Sequence, residues 1–280
     1  MKFPWWKRPL SWALFVLLVV AVMVLRRWIH HAQLELVPVI VPPDVAAAQV
    51  IAPSASQITQ RMLLEVSESL RPPQRPRLAV LTFDDGPFPV LTPLLLAQLR
   101  ALKVPAVFFL IGRDATAQPA ITIRVRAAGI EIGNHTNTHP ELSTLSMAGQ
   151  RQEIAAGAQA IEGLTGEHPR FFRPPHGNYD EATIDAARAQ GDVMVLWDVD
   201  PGDWRSISAN QIVADVTGRA RSPAVILLHN GKEATIEALP RIVRSYRDAG
   251  FEFVTLSQLT QRLPLASIND PIRVAIASSP

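Results

Sequence analysis

Apolar and polar positions alternate in a regular order from about residue 77 towards the C-terminus. Short apolar runs, each typical of a buried strand, are separated by longer stretches in which apolar residues recur at helical spacing. The predicted strands cover residues 78–83, 105–110, 130–134, 170–173, 193–198, 224–229 and 252–255. The predicted helices cover residues 92–102, 117–128, 146–163, 180–189, 208–220 and 235–248. Gly129, Gly191 and Gly250 stand where three of these helices should end.

Seven strands with intervening helices indicate a parallel α/β fold, because parallel neighbours need a crossover connection that a helix supplies. The pattern is compatible with either a barrel or a doubly wound sheet. At 280 residues and 48% apolar content, the chain can build one sizeable core and additional segments.

The N-terminal part of the chain has a different pattern. Residues 9–25 carry no charge and consist mainly of Leu, Val, Ala and Phe, which predicts a membrane-spanning helix. A cleaved signal peptide is the alternative, but Arg26 and Arg27 follow directly and no small-x-small cleavage site lies at the boundary. The predicted organisation is a membrane anchor at 1–31, a Pro/Ala-rich spacer at 32–76, a folded domain at 77–264 and a tail at 265–280.

The charge of the chain is unevenly distributed. There are 27 basic and 25 acidic residues, and five of the basic ones precede the first acidic residue, Glu35. The remainder of the chain is therefore slightly acidic, so we do not expect nucleic-acid binding. There is no cysteine, which excludes disulfides, thiolate metal sites and cysteine nucleophiles.

Two adjacent carboxylates end the first predicted strand. The apolar run 78–83 leads directly into Asp84 and Asp85, followed by Gly86 and Pro87. Neighbouring residues of an extended chain point in different directions, so the two aspartates are expected to differ in role. One could hold a metal while the other acts as a base. The alternative is turn chemistry that only closes a strand.

Polar clusters follow the other strands as well, and the carboxyl ends of parallel strands are where α/β folds carry their chemistry. The clusters lie at residues 84–85, 134–140, 173–177, 198–204 and 229–231. His135 and His139 are four residues apart, so one helical turn would place both imidazoles on the same side of the turn, where they can bind one cation. With an aspartate from the first strand they would form a three-ligand site with open positions. Arg173 follows two phenylalanines, and we expect its guanidinium to enter the site and pair with Asp84.

These clusters, in this order, resemble the five motifs of the polysaccharide deacetylase family, the carbohydrate esterases that share the NodB homology domain. The matching segments are Thr82–Gly86, His135–His139, Arg173–Gly177, Asp203–Trp204 and Leu227–His229. The resemblance covers about residues 77–262. It implies a distorted (β/α) barrel with seven or eight parallel strands, here preceded by the predicted transmembrane helix. It also implies a divalent metal, usually zinc, bound by Asp85, His135 and His139.

The mechanism implied by the resemblance assigns a role to each polar cluster. Asp84 would be the general base, oriented by Arg173. The oxyanion would be held by the metal and the backbone N–H of His176. His229, positioned by Asp203, would protonate the departing amine.

Three further residues are expected to contact the substrate. Leu227 and Trp204 would line the slot for the acetyl methyl group, and Pro175 is placed beside them. Position 176 is often an aromatic residue such as Tyr in the family, whereas here it is His. We expect its imidazole to contact the sugar only.

The sequence therefore predicts a metal-dependent hydrolase that removes N-acetyl groups from the sugars of a cell-surface or cell-wall polysaccharide. Hydrolysis of another amide or of an O-acetyl ester, and a non-catalytic carbohydrate-binding relative, are the alternatives. The predicted location is the cell membrane, with one span and an extracytoplasmic catalytic domain. This location rests on where such substrates occur more than on the charges around the apolar run.

Overall fold

The apolar runs form seven parallel strands in the computed structural model, which describes residues 77–262. The strands are β1 Arg77–Asp84, β2 Val107–Leu110, β3 Glu131–Asn134, β4 Phe171–Phe172, β5 Val193–Met194, β6 Ala224–His229 and β7 Phe251–Phe253. All seven strand predictions are confirmed, although β4 and β5 are shorter than their apolar runs. The sheet follows the order β5-β4-β3-β2-β1-β6, and β7 also pairs with β1.

Strand β1 is the centre of this sheet because it pairs with three others. Residues 79–84 pair with β6, residues 82–84 with β2 and residues 77–79 with β7. The segment after β5 returns to the opposite edge, where Val199 forms a parallel bridge with Ile226 of β6. The sheet is therefore curled into a half-barrel, which fits the expected distorted barrel and not an open doubly wound sheet.

The two-residue period of the strands separates two apolar layers. In β1, Leu78 and Val80 pack inside the curl, whereas Ala79, Leu81 and Phe83 pack against the outer helices. Side chains alternate between the faces of a strand, so Thr82 and Asp84 continue the inner face. The same alternation in β6 places His229 on the inner face, in register with Asp84.

The described residues contain eight helices; seven of them cover the outside of the sheet, whereas the last one packs Leu256 and Leu259 against the inner apolar layer. The helices are α1 Leu91–Leu102, α2 Gly112–Ala117, α3 Pro119–Ala127, α4 Met147–Thr165, α5 Glu181–Ala189, α6 Ala209–Gly218, α7 Glu233–Asp248 and α8 Leu256–Arg262. The predicted helix at 117–128 corresponds to α3, whereas the short helix α2 before it was not predicted. Helix α8 was not predicted. Gly129, Gly191 and Gly250 all have positive φ, as their positions after helices require.

Several of the predicted segments lie outside the described residues. These are the anchor at 1–31, the spacer at 32–76, the last two residues of the predicted domain and the tail at 265–280. Within residues 77–262, none of the helices has the length and apolar character needed to cross a membrane.

Helix α4 packs very closely on the loop that follows β3, and a glycine permits this approach. A Cβ at Gly157 would lie 2.4 Å from Asn134 Oδ1 and 2.7 Å from the Thr136 carbonyl oxygen. By contrast, a Cβ at Gly163, six residues further along α4, would meet nothing within 4 Å. The two glycines therefore have different structural roles in one helix.

We expect Gly157→Ala to destabilise the protein by about 1–3 kcal/mol, because the added methyl overpacks the contact between α4 and the β3 loop. Gly163→Ala is the matched control and should stabilise it by about 0.5–1 kcal/mol through helix propensity. The free energy of unfolding of both variants, measured by chemical denaturation, checks this. Equal effects of the two substitutions would contradict the close packing at Gly157.

Candidate active site

The carboxyl end of β1 carries a buried ion pair. Arg173 Nη1 lies 2.7 Å from Asp84 Oδ1, and the arginine side chain has no exposed surface. The ion pair expected from the two phenylalanines before Arg173 is therefore present. Removing two charges from water is costly, so such a pair needs further hydrogen bonds around it.

The guanidinium of Arg173 obtains these hydrogen bonds from β1 and from the chain after β5. Nη1 also donates to Thr82 Oγ1 at 2.7 Å, Nε donates to the Val195 carbonyl at 3.1 Å, and Nη2 donates to the Leu196 carbonyl at 2.9 Å. The charge also lies 4.2 Å from the ring centre of Phe109, inside the curl. Arg173 thus links β1 to the chain after β5 and fixes one oxygen of Asp84.

The second oxygen of Asp84 remains available on the side of the histidines. Asp84 Oδ2 lies 3.7 Å from His135 Nε2. Burial raises the pKa of Asp84, and the positive charges of Arg173 and His229 oppose this rise. A buried carboxylate with a raised pKa is a better proton acceptor than an exposed aspartate.

Asp85, His135 and His139 form a compact group of donor atoms. Each offers one ligand atom, and these atoms all lie within 4.8 Å of one another. Asp85 Oδ1 is 3.4 Å from His139 Nε2 and 3.8 Å from His135 Nε2. Two donors of a tetrahedral zinc ion, each about 2.0–2.1 Å from the metal, are about 3.3 Å apart. The spacing therefore fits a small divalent cation.

The protonation of His135 also suits a metal ligand. Its Nδ1 lies 2.8 Å from the Arg173 carbonyl oxygen, which can only accept, so Nδ1 carries the proton and Nε2 keeps its lone pair. Burial lowers the pKa of His135 to about 3, although the charge of Asp85 opposes this shift. The imidazole is therefore neutral at ordinary pH and can bind a cation through Nε2.

The two histidines do not lie on one helical turn, and that expectation was wrong. Residues 135–140 form an irregular loop in which Thr136 and His139 have φ values of 66° and 63°. Glu153 of α4 holds this loop, because its carboxylate accepts from the Asn137 and Thr138 backbone N–H groups and from the Thr138 hydroxyl. Tertiary contacts with α4, and not helix geometry, bring the two imidazoles together.

Backbone strain is concentrated around these donor atoms. Among the described residues, five non-glycine residues have positive φ, and four of them belong to this site: Asp85, Thr136, His139 and His176. Each such conformation costs on the order of 1–3 kcal/mol and persists only where the surroundings determine it. The fold therefore supports an arrangement that these residues would not adopt alone.

His229 lies across from Asp84 and is held by Asp203. Its Nδ1 lies 2.7 Å from Asp203 Oδ1, and its backbone N–H donates to Asp203 Oδ2 at 2.8 Å. Thr235 of α7 also donates to Asp203 Oδ2. Burial lowers the pKa of His229, but the hydrogen bond and charge of Asp203 outweigh it, so the pKa lies above its ordinary value. The pair favours a protonated imidazole whose Nε2 is free to donate.

Pro175, His176 and Gly177 form a tight turn after β4. Its two hydrogen bonds, Gly177 N–H to the Pro174 carbonyl and Asn178 N–H to the Pro175 carbonyl, do not use the His176 N–H. The His176 ring packs edge-on against that of His139, with centroids 4.9 Å apart. The imidazole thus contacts a member of the donor group, a position that the sequence did not indicate.

The two residues expected to line the acetyl slot differ in exposure. Leu227 is only 3% exposed and continues the inner face of β6, whereas 53% of Trp204 is exposed. Trp204 follows Asp203 on the loop after β5, and Arg205 lies over its ring. Trp204 therefore lies at the rim with a free surface, and its contact with the acetyl group stays a prediction.

Asn230 and Thr92, which were not among the predicted site residues, fix the chain around Asp84 at the end of β1. The Asn230 N–H donates to the Asp84 carbonyl at 2.8 Å, and Asn230 Oδ1 accepts from the Thr92 hydroxyl at 2.9 Å. Thr92 in turn accepts from the Phe88 N–H. Asn230 follows His229 in the chain, so this network ties the ends of β1 and β6 together. The only sequence signal for Asn230 was its position directly after His229, at the end of a predicted strand.

The comparisons with known proteins agree with this geometry. The family model described as polysaccharide deacetylase matches residues 71–195. A peptidoglycan-N-acetylglucosamine deacetylase of Bacillus cereus is 36% identical over 185 residues, which are 65% of this chain and 67% of the relative. A chitooligosaccharide deacetylase of Bradyrhizobium sp. is 35% identical over 198 residues, which are 65% of this chain and 90% of the relative.

A solved structure has the same fold. The family 4 carbohydrate esterase from Streptomyces lividans, in complex with acetate, superposes with a TM-score of 0.63 at 34% sequence identity. The superposition covers 66% of this chain and 95% of that one. The matched family model, these relatives and the shared fold together show that the chain belongs to the polysaccharide deacetylase family.

Proposed function

We propose that this protein is a metal-dependent hydrolase that removes N-acetyl groups from the sugars of a cell-surface or cell-wall polysaccharide. One observation carries the proposal. Asp84, which is paired with Arg173, and His229, which is paired with Asp203, lie at the ends of two adjacent strands beside the three metal-donor side chains. They can serve as a base and as an acid, and His229 with Asp203 forms the acid pair of the site. Hydrolysis of an amide needs a base for the attacking water and an acid for the amine that leaves. The activities for which the relatives are named, on peptidoglycan and chitooligosaccharides, support this substrate class.

Asp85, His135 and His139 would hold the divalent cation, for which zinc is the first candidate. A bound cation of this kind supplies Lewis acidity, which polarises a carbonyl and acidifies water. The neutral His135, fixed by the Arg173 carbonyl, and the short distance from Asp85 to His139 suit that role.

Asp84 acts as the general base. Arg173 binds Oδ1, so the carboxylate cannot turn away, and Oδ2 faces the donor group. The proton of the attacking water therefore has an acceptor at a fixed position. Since Arg173 is itself held by Thr82 and two carbonyls, the orientation of the base is determined before substrate binds.

His229 acts as the general acid on the opposite side of the site. Asp203 holds Nδ1–H, which leaves Nε2–H to protonate the departing amine. The free backbone N–H of His176, in its left-handed turn, supports the oxyanion.

The acid pair favours an amide over an ester substrate. An amine is a poor leaving group unless it is protonated, whereas a carboxylic ester depends less on this step. A raised His229 pKa, maintained by Asp203, serves the more demanding reaction. A non-catalytic carbohydrate-binding role has no such support, because it would not require a buried base.

The N-terminal run at 9–25 supports a membrane anchor, and the placement of the catalytic domain outside the cytoplasm rests on where such glycans occur. Its length without charge and the arginines that follow it favour an uncleaved span. N-terminal sequencing of the protein from membranes tests this. A mature N-terminus beyond residue 30 would show that the run is a cleaved signal peptide and not an anchor.

Acetate release from chitooligosaccharides and from peptidoglycan glycan tests the function directly. The purified protein should release acetate from at least one of them, and a chelator should abolish release that added Zn²⁺ restores. Release that is indifferent to the chelator would refute the metal dependence. No release from any N-acetylated glycan, by folded and metal-loaded protein, would refute the deacetylase function.

Metal content and turnover should separate the two aspartates. His135→Ala, His139→Ala and Asp85→Asn should lose most bound metal, since two remaining ligands chelate poorly. Asp84→Asn should keep the metal and lose about 10²–10⁴ in kcat, because only the base is removed. Metal analysis of the purified variants checks this, with circular dichroism as the folding control. Metal loss from Asp84→Asn together with retention in Asp85→Asn would show that Asp84 is the metal ligand and Asp85 the base.

The pH dependence should report the acid pair. Asp203 raises the pKa of His229, so its replacement should lower that pKa and leave burial to depress it. In Asp203→Asn, the basic limb of the kcat/KM profile should therefore move to lower pH, with kcat reduced about 10²-fold. Asp200→Asn is the matched control on the same loop, since its side chain accepts from the Gly202 N–H and is not part of the pair of His229 and Asp203. A fall in kcat without a shift of the limb would mean that His229 is not the titrating acid.

A further inference from the structure

The rim beside the acid pair carries two cationic side chains in defined positions. The Arg205 guanidinium lies 5.1 Å from the centre of the Trp204 ring, and Lys232 Nζ donates to the Trp204 carbonyl at 3.3 Å. Arg205 also folds back over Gly202 of the same loop, and its guanidinium occupies the space that a Cβ at this position would need. Trp204 directly follows Asp203, and Lys232 is three residues after His229. Both cations are therefore attached to the segments that carry the general acid.

Neither cation has a carboxylate partner within residues 77–262. The exposed arginines at 113 and 188, by contrast, lie 3.3 Å and 3.2 Å from a carboxylate of their own helix. Two cations that form no ion pair, at the mouth of a site, attract an anionic ligand and repel a cationic one. The two side chains next to Trp204 can thus bind a carboxylate.

The side of the site that carries the donor group has an exposed carboxylate. Glu141 lies there, and its carboxylate accepts from the Asn178 side chain at 3.0 Å and from the Ser143 hydroxyl at 3.0 Å. Asn178 adjoins the turn whose His176 packs against His139. A carboxylate thus lies on the donor-group side of the site, whereas Arg205 and Lys232 lie on the general-acid side.

We propose that Arg205 and Lys232 select a glycan that carries a carboxylate on the sugar next to the N-acetyl sugar being hydrolysed, with this carboxylate on the Trp204 side. The inference rests on the proposed deacetylase function and names its substrate class. The carboxylate can belong to the lactyl ether of a muramic-type sugar or to a peptide attached to it. The exposed face of Trp204 contacts the sugar ring between the cations and His229.

The physics of exposed charges sets the size of the effect. An exposed ion pair contributes about 0.2–1 kcal/mol, which corresponds to at most about a fivefold change in kcat/KM for each cation. The preference should weaken with salt, because the Debye length is about 10 Å at 0.1 M ionic strength and about 3 Å at 1 M. Preference for a carboxylate and its loss with salt are two separate signatures of the same interaction.

The test compares three tetrasaccharides as substrates of the metal-loaded full-length protein. One is neutral chitotetraose, one alternates N-acetylglucosamine with N-acetylmuramic acid without peptide, and one carries the stem peptides as well. The measured quantity is the ratio of kcat/KM for each acidic glycan to that for chitotetraose. The wild type should favour an acidic glycan, and the peptide-free one shows whether the lactyl carboxylate suffices.

Charge variants then assign the preference to residues. Arg205→Gln and Lys232→Gln should each lower the ratio about two- to fivefold, and the double variant should lower it further. Arg205→Lys and Lys232→Arg should retain most of the ratio because they keep the charge. Arg113→Gln, which removes an already paired arginine, is the matched control and should leave the ratio unchanged.

Three outcomes would overturn the inference. They are a wild-type ratio near one, a ratio that the Gln variants do not change, and a ratio that does not depend on salt. In each case chitotetraose would still release acetate, so the deacetylase function would stand. Failure of acetate release from all three glycans would instead remove the proposed function itself.

Discussion

The buried ion pair between Asp84 and Arg173 is the constraint on which the rest of the site depends. A guanidinium without exposed surface is tolerated only where its donors are satisfied, and here a carboxylate, the Thr82 hydroxyl and two carbonyls do so. These acceptors come from β1 and from the chain after β5. The same contacts that stabilise the charge therefore curl the sheet and orient the base.

The Arg173 backbone adds a second link. Its carbonyl accepts from Nδ1 of His135, so the residue that orients the base also fixes the tautomer of a predicted metal ligand. Base and donor group are thus parts of one hydrogen-bonded unit. Asn230 extends this unit to the strand that carries His229 through its bond to the Asp84 carbonyl. The acid and the base are consequently held on a common frame.

Much of this arrangement was readable from the sequence because it follows from local pattern. The two-residue period of β1 predicts that Asp84 faces away from Phe83, and the two phenylalanines before Arg173 predict a buried arginine. Polar clusters at strand ends predict a shared mouth, since parallel strands end on one side. The loop of His135 and His139 was misread as helical, because its conformation depends on Glu153, which is fourteen residues beyond His139. No local pattern contains that contact.

The sequence by itself therefore determined the strands, their common direction and the chemical types of residue at the mouth, because periodicity and composition act over a few residues. Only the tertiary structure decided how these residues meet. It set the left-handed conformations around the donor group, the packing of His176 on His139 and the exposure of Trp204. The physical reason is that each of these features is fixed by contacts between segments distant in the chain, where close packing and the burial of charge outweigh local preference.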